Sequence, residues 1–145
     1  MPSPEADTVI RIATALIVNP QGYVLLVRKA GAAAFMQAGG KIDTGETAEQ
    51  TLRRELVEEL SLPLPDGSPE YIGFFRAPAA NEPGRYVEAD CFFVATNQQF
   101  SPQAEIEEAL WIDPFSPPTI TLAPLTRDYI LPLARERLGA GKATR

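Results

Sequence analysis

Apolar and polar positions follow one another along the chain in a pattern that predicts strands on both sides of a periodic helix. The run from Ile12 to Val18 is almost continuously apolar, and a second apolar run covers Tyr23 to Val27. Asn19-Pro20-Gln21-Gly22 between them has the composition of a turn, so the two runs predict a β-hairpin. Further strands are predicted at 71–75, 87–95 and 107–112, with a turn at 81–84.

The clearest periodicity predicts a helix that starts after Thr47. Apolar residues recur at every fourth position, which is the spacing of one helix face: Ala48, Leu52, Leu56 and Leu60. Thr47 and Gln50 have the spacing of a capping box, in which each side chain bonds the backbone N–H of the other. Pro63 cannot continue the helix, so we expect the helix to end before it.

A second helix is predicted from Pro124 to Leu138. Pro124 suits a first helical turn, Gly139 suits a C-cap, and Pro132 is expected to kink the helix. We expect disordered tails at about 1–7 and at 140–145.

Length and composition are those of one globular domain, with 145 residues of which 45% are apolar. We therefore expect a single domain over 1–145, of mixed α/β (α+β) class. No apolar run approaches the roughly 18 residues of a membrane span, so no membrane partner is expected. Cys91 is the only cysteine, and the first seven residues lack the pattern of a secretory signal, so we expect a reducing, cytoplasmic setting.

Charge and the absence of histidine from the sequence narrow the chemistry. The formal net charge of −6 should repel a phosphate backbone, so a nucleic-acid polymer is not an expected partner. With no histidine in the chain, Ser-His-Asp catalysis, Cys-His catalysis and histidine-ligated zinc are all excluded. Carboxylates are therefore the main candidates for catalytic and metal-binding groups.

Three glutamates of the first predicted helix lie beside its apolar face. Glu55, Glu58 and Glu59 are three and four residues apart, so their side chains are neighbours on a helix. With Ala48 at zero and the apolar stripe reaching about 120°, they fall at about 340°, 280° and 20°. Glutamates on a helix ordinarily form a solvated face, but such a face would lie opposite the stripe, near about 240°, where Arg54 lies instead.

The clustered acids need a positive partner, because like charges on one helix face repel one another. No basic side chain shares their arc of the predicted helix, and Mg²⁺ prefers oxygen ligands, so we expect a magnesium site. One structural alternative stays open, in which arginines or lysines from loops pair with these acids.

The loop before this helix is rich in glycine, which permits positive φ and close approach of backbone to a ligand. It runs Gly39-Gly40-Lys41-Ile42-Asp43-Thr44-Gly45-Glu46. Seven residues after Glu46 come Arg54-Glu55-Leu56-Val57-Glu58-Glu59-Leu60-Ser61-Leu62. Together they resemble the Nudix box, Gly-x5-Glu-x7-Arg-Glu-(apolar)-x-Glu-Glu-x-Gly-(apolar), with Ser61 in place of the last glycine. Upstream, Phe35 and Ala38 stand where the family commonly has tryptophan and proline.

The resemblance to the Nudix family implies an α/β/α sandwich with a mixed β-sheet and a hydrolase that cleaves a diphosphate linkage. It implies Mg²⁺ as cofactor, with Mn²⁺ as a substitute, and an ion pair between Glu46 and Arg54 that orients the loop. The number of metal ions and the identity of the general base stay open. The metal ligands it implies are Gly40 through its carbonyl, Glu55, Glu58 and Glu59.

Family members often add a carboxylate from a later loop, as a metal ligand or a general base. Glu105, Glu107 and Glu108 precede Trp111 and are the candidates, with a solvated loop as the alternative for each. We assign Glu105 to the metal and Glu108 to catalysis. The expected catalytic residues are then Glu46, Arg54, Glu55, Glu58 and Glu108.

The resemblance also implies a small nucleotide-like diphosphate as the substrate, with an intact or oxidised nucleoside triphosphate as the leading expectation. Two alternatives stay open. One is an ADP-ribose or nucleotide-sugar pyrophosphatase, which the position of Pro78 favours, and the other is a non-catalytic nucleotide sensor. A homodimer stays open, because dimers are common in the family. Substrate contacts are expected from Arg28, Phe35, Gly39, Lys41 and Arg76, with core packing as the alternative for Phe35.

Overall fold

The computed structural model describes residues 9–80, 82–98 and 100–143, so the expected tail at 1–7 and part of the turn at 81–84 lie outside the described residues. None of the helices in these ranges is long and apolar enough to cross a membrane. The strands are β1 (Val9–Val18), β2 (Val24–Lys29), β3 (Ala38–Lys41), β4 (Glu70–Pro78), β5 (Tyr86–Ala95) and β6 (Ile106–Ile112). The α-helices are α1 (Ala48–Leu60) and α2 (Leu131–Ala143).

One mixed sheet connects all six strands in the order β4-β5-β1-β2-β6, with β3 paired to β1. β1 runs parallel to β5 along its whole length and antiparallel to β2 and β3. The predicted hairpin is confirmed, but β1 and β2 pair only at Val18 and Val24. The reason is that β3 occupies the same edge of β1 from Ile12 to Ala15.

Helices cover both faces of this sheet, which confirms the α/β/α sandwich. Successive side chains of a strand point to opposite faces, so β1 contributes to two separate cores. On one face Ala13, Ala15 and Ile17 pack in a cluster with Leu52, Leu56 and Leu60 of α1. On the other face Leu16 and Val18 pack in a cluster with Leu125, Ile130 and Leu131.

α1 begins and ends through local interactions. The capping box is present: Gln50 N donates to Thr47 Oγ1 at 3.1 Å, and Thr47 N donates to Gln50 Oε1 at 2.9 Å. At the other end Ser61 adopts the left-handed conformation, with φ of 52° and ψ of 39°. This conformation favours glycine, so the serine that departs from the Nudix pattern occupies a strained position.

Two local predictions need correction. Residues 38–41 form strand β3 rather than a loop, because their backbone pairs with Ile12–Ala15.

The C-terminal helix starts at Pro124 as expected. Its irregular part is a π-helical turn at Thr126–Ile130, which lies just before Pro132, the residue at which we expect a kink. Gly139 does not end this helix, which continues to Ala143, so 140–143 are helical rather than a disordered tail, and 144–145 lie outside the described residues.

Candidate active site

Gly40 lets the backbone of β3 approach α1 closely. Gly40 pairs with Ala13 in the sheet, and the carboxyl group of Glu55 from α1 lies directly over it. A Cβ atom at position 40 would lie 2.5 Å from Glu55 Cδ, which is shorter than any ordinary contact. The absent side chain at Gly40 therefore makes room for the Glu55 carboxylate.

Glu59 is a buried carboxylate with one unsatisfied oxygen. Its side chain is only 3% exposed, and its Oε1 accepts a hydrogen bond from Gly39 N at 3.1 Å. Its Oε2 is buried and has no hydrogen-bond partner among the described residues. Burial raises the pKa of Glu59 to about 7, although the hydrogen bond from Gly39 and the charge of Lys29 act in the opposite direction. A cation close to Glu59 therefore favours its carboxylate form.

The expected ion pair between Glu46 and Arg54 is present and bidentate. Arg54 Nε lies 2.9 Å from Glu46 Oε2, and Arg54 Nη2 lies 2.8 Å from Glu46 Oε1. Thr51 Oγ1 also donates to Glu46, at 2.8 Å. The Arg54 hydrogen bonds, followed by the Thr51 bond, lower the pKa of Glu46 to about 2, and the pKa of Arg54 is raised in turn. This pair fixes the glycine-rich loop against α1.

Arg54 also corrects the expectation that the acids of α1 have no basic neighbour. Its Nη1 lies 2.9 Å from Glu55 Oε1 and 3.6 Å from Glu58 Oε2. The planar guanidinium group reaches along the helix surface to acids one and four residues away, which the wheel angle of Arg54 alone does not reveal. Glu58 is also the most exposed of the three acids, at 53%, whereas Glu55 is 16% exposed.

A cleft of about 450 Å³ lies beside these acids. Its polar wall contains Lys29, Gly39, Gly40, Lys41, Glu55 and Glu105. A smaller inner recess of about 60 Å³ shares Ile12, Thr14, Met36, Gln37, Ala80 and Val87 with the cleft and adds Pro78, Ala123, Leu125 and Thr126. The site thus has a charged end, suited to phosphates, and a mainly apolar end.

Five of the predicted site residues line the cleft, which are Gly39, Gly40, Lys41, Glu55 and Glu105. Glu46, Arg54, Glu58 and Glu59 do not line it but contact one another or residues that do.

The remaining four predicted site residues are engaged elsewhere. Arg28 pairs with Glu107 at 3.6 Å and with Glu108 at 3.2 Å, so Arg28 and Glu108 neutralise each other across β2 and β6. Phe35 is buried in the core against α2, which confirms core packing, the alternative to a substrate contact. Arg76 stacks on Tyr86, with its Cζ atom 4.8 Å from the ring centroid.

Three residues of the site were missed in the sequence. Lys29 follows Arg28, and strand alternation could have placed it on the same face as Leu25 and Val27, toward α1. Gln37 and Thr126 are buried and joined by a hydrogen bond from Thr126 Oγ1 to Gln37 Oε1, and both line the inner recess. Nothing in the local sequence indicates the contact between Gln37 and Thr126, because these residues come from distant parts of the chain.

The residues present fit a hard divalent cation. Within the described ranges no three acidic, histidine or cysteine side chains are grouped closely enough to hold a metal ion, and Arg54 lies within salt-bridge distance of both Glu55 and Glu58. Mg²⁺, however, is usually bound through one or two carboxylates, with substrate phosphates and water completing its shell. Glu55 over Gly40 and the unsatisfied oxygen of Glu59 supply such a pair of carboxylates.

Comparison with protein families identifies the chain. The model of the NUDIX domain matches residues 9–131, which is most of the chain. The protein therefore belongs to the Nudix family.

Relatives and solved structures agree with this assignment. The chain is 40% identical over 58 residues to an 8-oxo-dGTP diphosphatase of Haemophilus influenzae, covering 37% of this chain and 43% of the relative. It is 46% identical over 55 residues to an oxidized purine nucleoside triphosphate hydrolase of Danio rerio, covering 36% of this chain and 35% of the relative. The matched segment thus spans less than half the length of these curated relatives.

Among solved structures, the fold is similar to the ORF135 protein of E. coli, with a TM-score of 0.66 and 25% identity over 99% of this chain and 98% of that one. A MutT/nudix family protein from Enterococcus faecalis gives a TM-score of 0.74 at 16% identity, over 97% of this chain and 66% of that one. The second likeness concerns the fold alone.

Proposed function

We propose that this protein is a Mg²⁺-dependent hydrolase that cleaves the diphosphate linkage of a nucleoside triphosphate, intact or oxidised. The observation that carries the proposal is a pair of carboxylates next to the cleft: Glu55 lines its charged end, and Glu59 is buried behind Gly39. Glu55 fills the space left open by Gly40, and Glu59 keeps one buried oxygen without a hydrogen bond. The relatives named for 8-oxo-dGTP and for oxidised purine nucleoside triphosphates support this choice of substrate class.

In this proposal Glu55, Glu59 and the Gly40 carbonyl hold the cation, and Glu58 is the next carboxylate along the helix. Bound Mg²⁺ would neutralise phosphate oxygens and lower the pKa of a water molecule. Arg54 and Glu46 act as positioning residues, because their ion pair fixes the glycine-rich loop on α1. Lys41 lines the charged end of the cleft, which supports its proposed role as a contact of the phosphates.

The reaction adds one water molecule to the anhydride. Water attacks phosphorus, the bond to the bridging oxygen breaks, and a nucleoside monophosphate and pyrophosphate leave. A carboxylate must accept the proton of the water. Of the acids expected from the later loop, Glu105 lines the cleft whereas Glu108 is paired with Arg28, so Glu105 takes over the role of ligand or proton acceptor.

A second candidate function is hydrolysis of ADP-ribose or a nucleotide sugar. The observation that favours it is the position of Pro78, which lines the inner recess where the non-phosphate part of a substrate would lie. The chain as a whole is proposed to act as one domain in the cytoplasm.

A substrate panel with and without Mg²⁺ tests the proposal. It contains dGTP, 8-oxo-dGTP and ADP-ribose, and release of monophosphate is measured for wild type, Glu59→Gln and Glu49→Gln. Glu49 lies on the same helix and pairs with Arg53 away from the cleft, so its variant is the matched control.

We expect wild type and Glu49→Gln to hydrolyse a triphosphate when Mg²⁺ is present and not when EDTA is present. The rate of hydrolysis by Glu59→Gln should be at least about 10²-fold lower than that of wild type. Preferential cleavage of ADP-ribose would favour the second candidate. Binding without turnover of any compound would identify a nucleotide sensor and contradict the hydrolase.

A further inference from the structure

Lys29 is a charged residue of the cleft to which the proposed reaction gives no role. It ends β2 next to a register shift in the pairing with β6, between Arg28 and Lys29. Its side chain is 31% exposed and lines the charged end of the cleft. The ammonium group therefore lies at the boundary between the cleft and Glu59, the buried acid of α1.

The contacts of Lys29 are charge contacts rather than hydrogen bonds. Its Nζ lies 3.9 Å from Glu59 Oε2 and 3.8 Å from Glu105 Oε1. Both distances exceed the usual range for an N–H···O hydrogen bond. Glu59 Oε2 is the same buried oxygen that has no hydrogen-bond partner among the described residues. Lys29 thus neutralises this carboxylate without satisfying the oxygen.

The other cation of the site is already engaged. Arg54 lies within salt-bridge distance of Asp43, Glu46, Glu55 and Glu58. Among the described residues, Lys29 is the one basic side chain that forms an ion pair with Glu59. A buried carboxylate without compensation is costly, so Lys29 contributes to the stability of the protein when no metal is bound.

We propose that Lys29 is the internal counter-ion of Glu59 and competes with the divalent cation for that carboxylate. The inference rests on the proposed function in one respect, that Glu59 is a ligand of the cation. The same unsatisfied oxygen that faces Lys29 is the atom available to a metal. Lys29 therefore weakens metal binding and protects the fold in the absence of metal.

Titration with Mn²⁺ alone, in the absence of substrate, tests the competition directly. Isothermal titration calorimetry at pH 8.5 compares wild type with Lys29→Met, Lys29→Arg and Lys41→Met. Lys29→Arg keeps the charge, and Lys41→Met removes a positive charge from the same cleft without removing the contact to Glu59.

Two unit charges about 4 Å apart interact appreciably even in water, so Lys29→Met should bind Mn²⁺ at least about fivefold more tightly than wild type. Lys29→Arg and Lys41→Met should bind within about twofold of wild type. Equal or weaker binding by Lys29→Met, or equal tightening in Lys41→Met, overturns the proposal.

Thermal unfolding with EDTA and with saturating Mn²⁺ gives a second measurement. In EDTA the melting temperature of Lys29→Met should be lower than that of wild type. Mn²⁺ should raise the melting temperature of Lys29→Met by more than that of wild type, because the cation then replaces the missing ammonium group. If Lys29→Met does not fold without metal, Lys29→Gln is measured under the same criteria. An equal Mn²⁺ shift in the uncharged variant and in wild type contradicts the competition.

These outcomes separate the inference from the proposed function. If wild type and the variants bind Mn²⁺ with the expected order and no nucleotide is hydrolysed, the competition stands and the hydrolase proposal fails. If hydrolysis requires Mg²⁺ but Lys29→Met binds metal like wild type, the hydrolase stands and the competition fails. Absence of Mn²⁺ binding by every protein overturns the competition, and the substrate panel with and without Mg²⁺ then decides the hydrolase proposal separately.

Discussion

Gly39 and Gly40 are neighbours in the motif, but they serve different parts of the molecule. A Cβ atom at Gly39 would lie 2.1 Å from the carbonyl oxygen of Ala13, against the backbone of β1. For a Cβ atom at Gly40 the three nearest atoms all belong to the carboxyl group of Glu55. The first glycine is therefore required for the sheet and the second for the candidate site. Substitutions at the two positions should have distinguishable effects on stability and on activity.

Gly40→Ala should lower activity without unfolding the protein. The added methyl group displaces Glu55, and a misplacement of about 1 Å can cost about 10²-fold in turnover. Gly139→Ala is the matched control, because a Cβ at position 139 meets nothing closer than 3.7 Å. Steady-state hydrolysis and circular dichroism are measured together. Activity close to wild type in Gly40→Ala would show that Glu55 does not need this space.

Cys91 should be inert in the folded protein. The side chain is fully buried beside Thr14, and burial raises the pKa of its thiol to about 11. At pH 8 about one molecule in a thousand would then carry the reactive thiolate. A colorimetric thiol reagent should label Cys91 only after denaturation with guanidinium. Fast labelling of the native protein would mean that this core opens readily.

At the scale of secondary structure, elements with local signals were predicted well. The extent of α1 follows from its capping box and its apolar stripe, and both involve residues close in sequence. β3 was missed because Ala38-Gly39-Gly40-Lys41 has no strand propensity of its own. Its conformation comes from pairing with β1, more than twenty residues away in the chain.

The C-terminal end of α1 offers a test of helix termination. Ser61 has a φ of 52°, and for a residue with a side chain this conformation costs about 1–2 kcal/mol. Ser61→Gly removes that cost but loses the hydrogen bond that Gln103 donates to Ser61 Oγ. We expect a net gain in the free energy of unfolding of about 0.5–1 kcal/mol, as measured by urea denaturation.

Ser61→Ala is the control for this substitution, because it loses the same hydrogen bond and retains the unfavourable backbone conformation. It should be less stable than wild type. Equal stability of the glycine and alanine variants would mean that the left-handed conformation at Ser61 carries no measurable cost.

At the scale of the whole molecule, the order of burial of the acids was predictable but their partners were not. The wheel angles place Glu59 nearest the apolar stripe and Glu58 farthest, and the exposures follow that order, from 3% to 53%. The contact between Lys29 and Glu59 joins β2 to α1. Strand alternation places Lys29 on the face toward α1, but no periodicity within either element indicates which acid Lys29 contacts. A tertiary contact therefore supplies the cation beside Glu59, whereas Arg54 reaches Glu55 and Glu58 along the same helix.

The proposed hydrolase requires that the carboxylates of α1 hold a divalent cation beside Gly40. A crystal soaked in Mn²⁺ and measured for anomalous scattering tests it most directly. We expect an anomalous peak between the Glu55 and Glu59 carboxylates, with oxygen ligands at about 2.1 Å. A map without a peak there, with Arg54 and Lys29 still paired to these acids at saturating Mn²⁺, would contradict it.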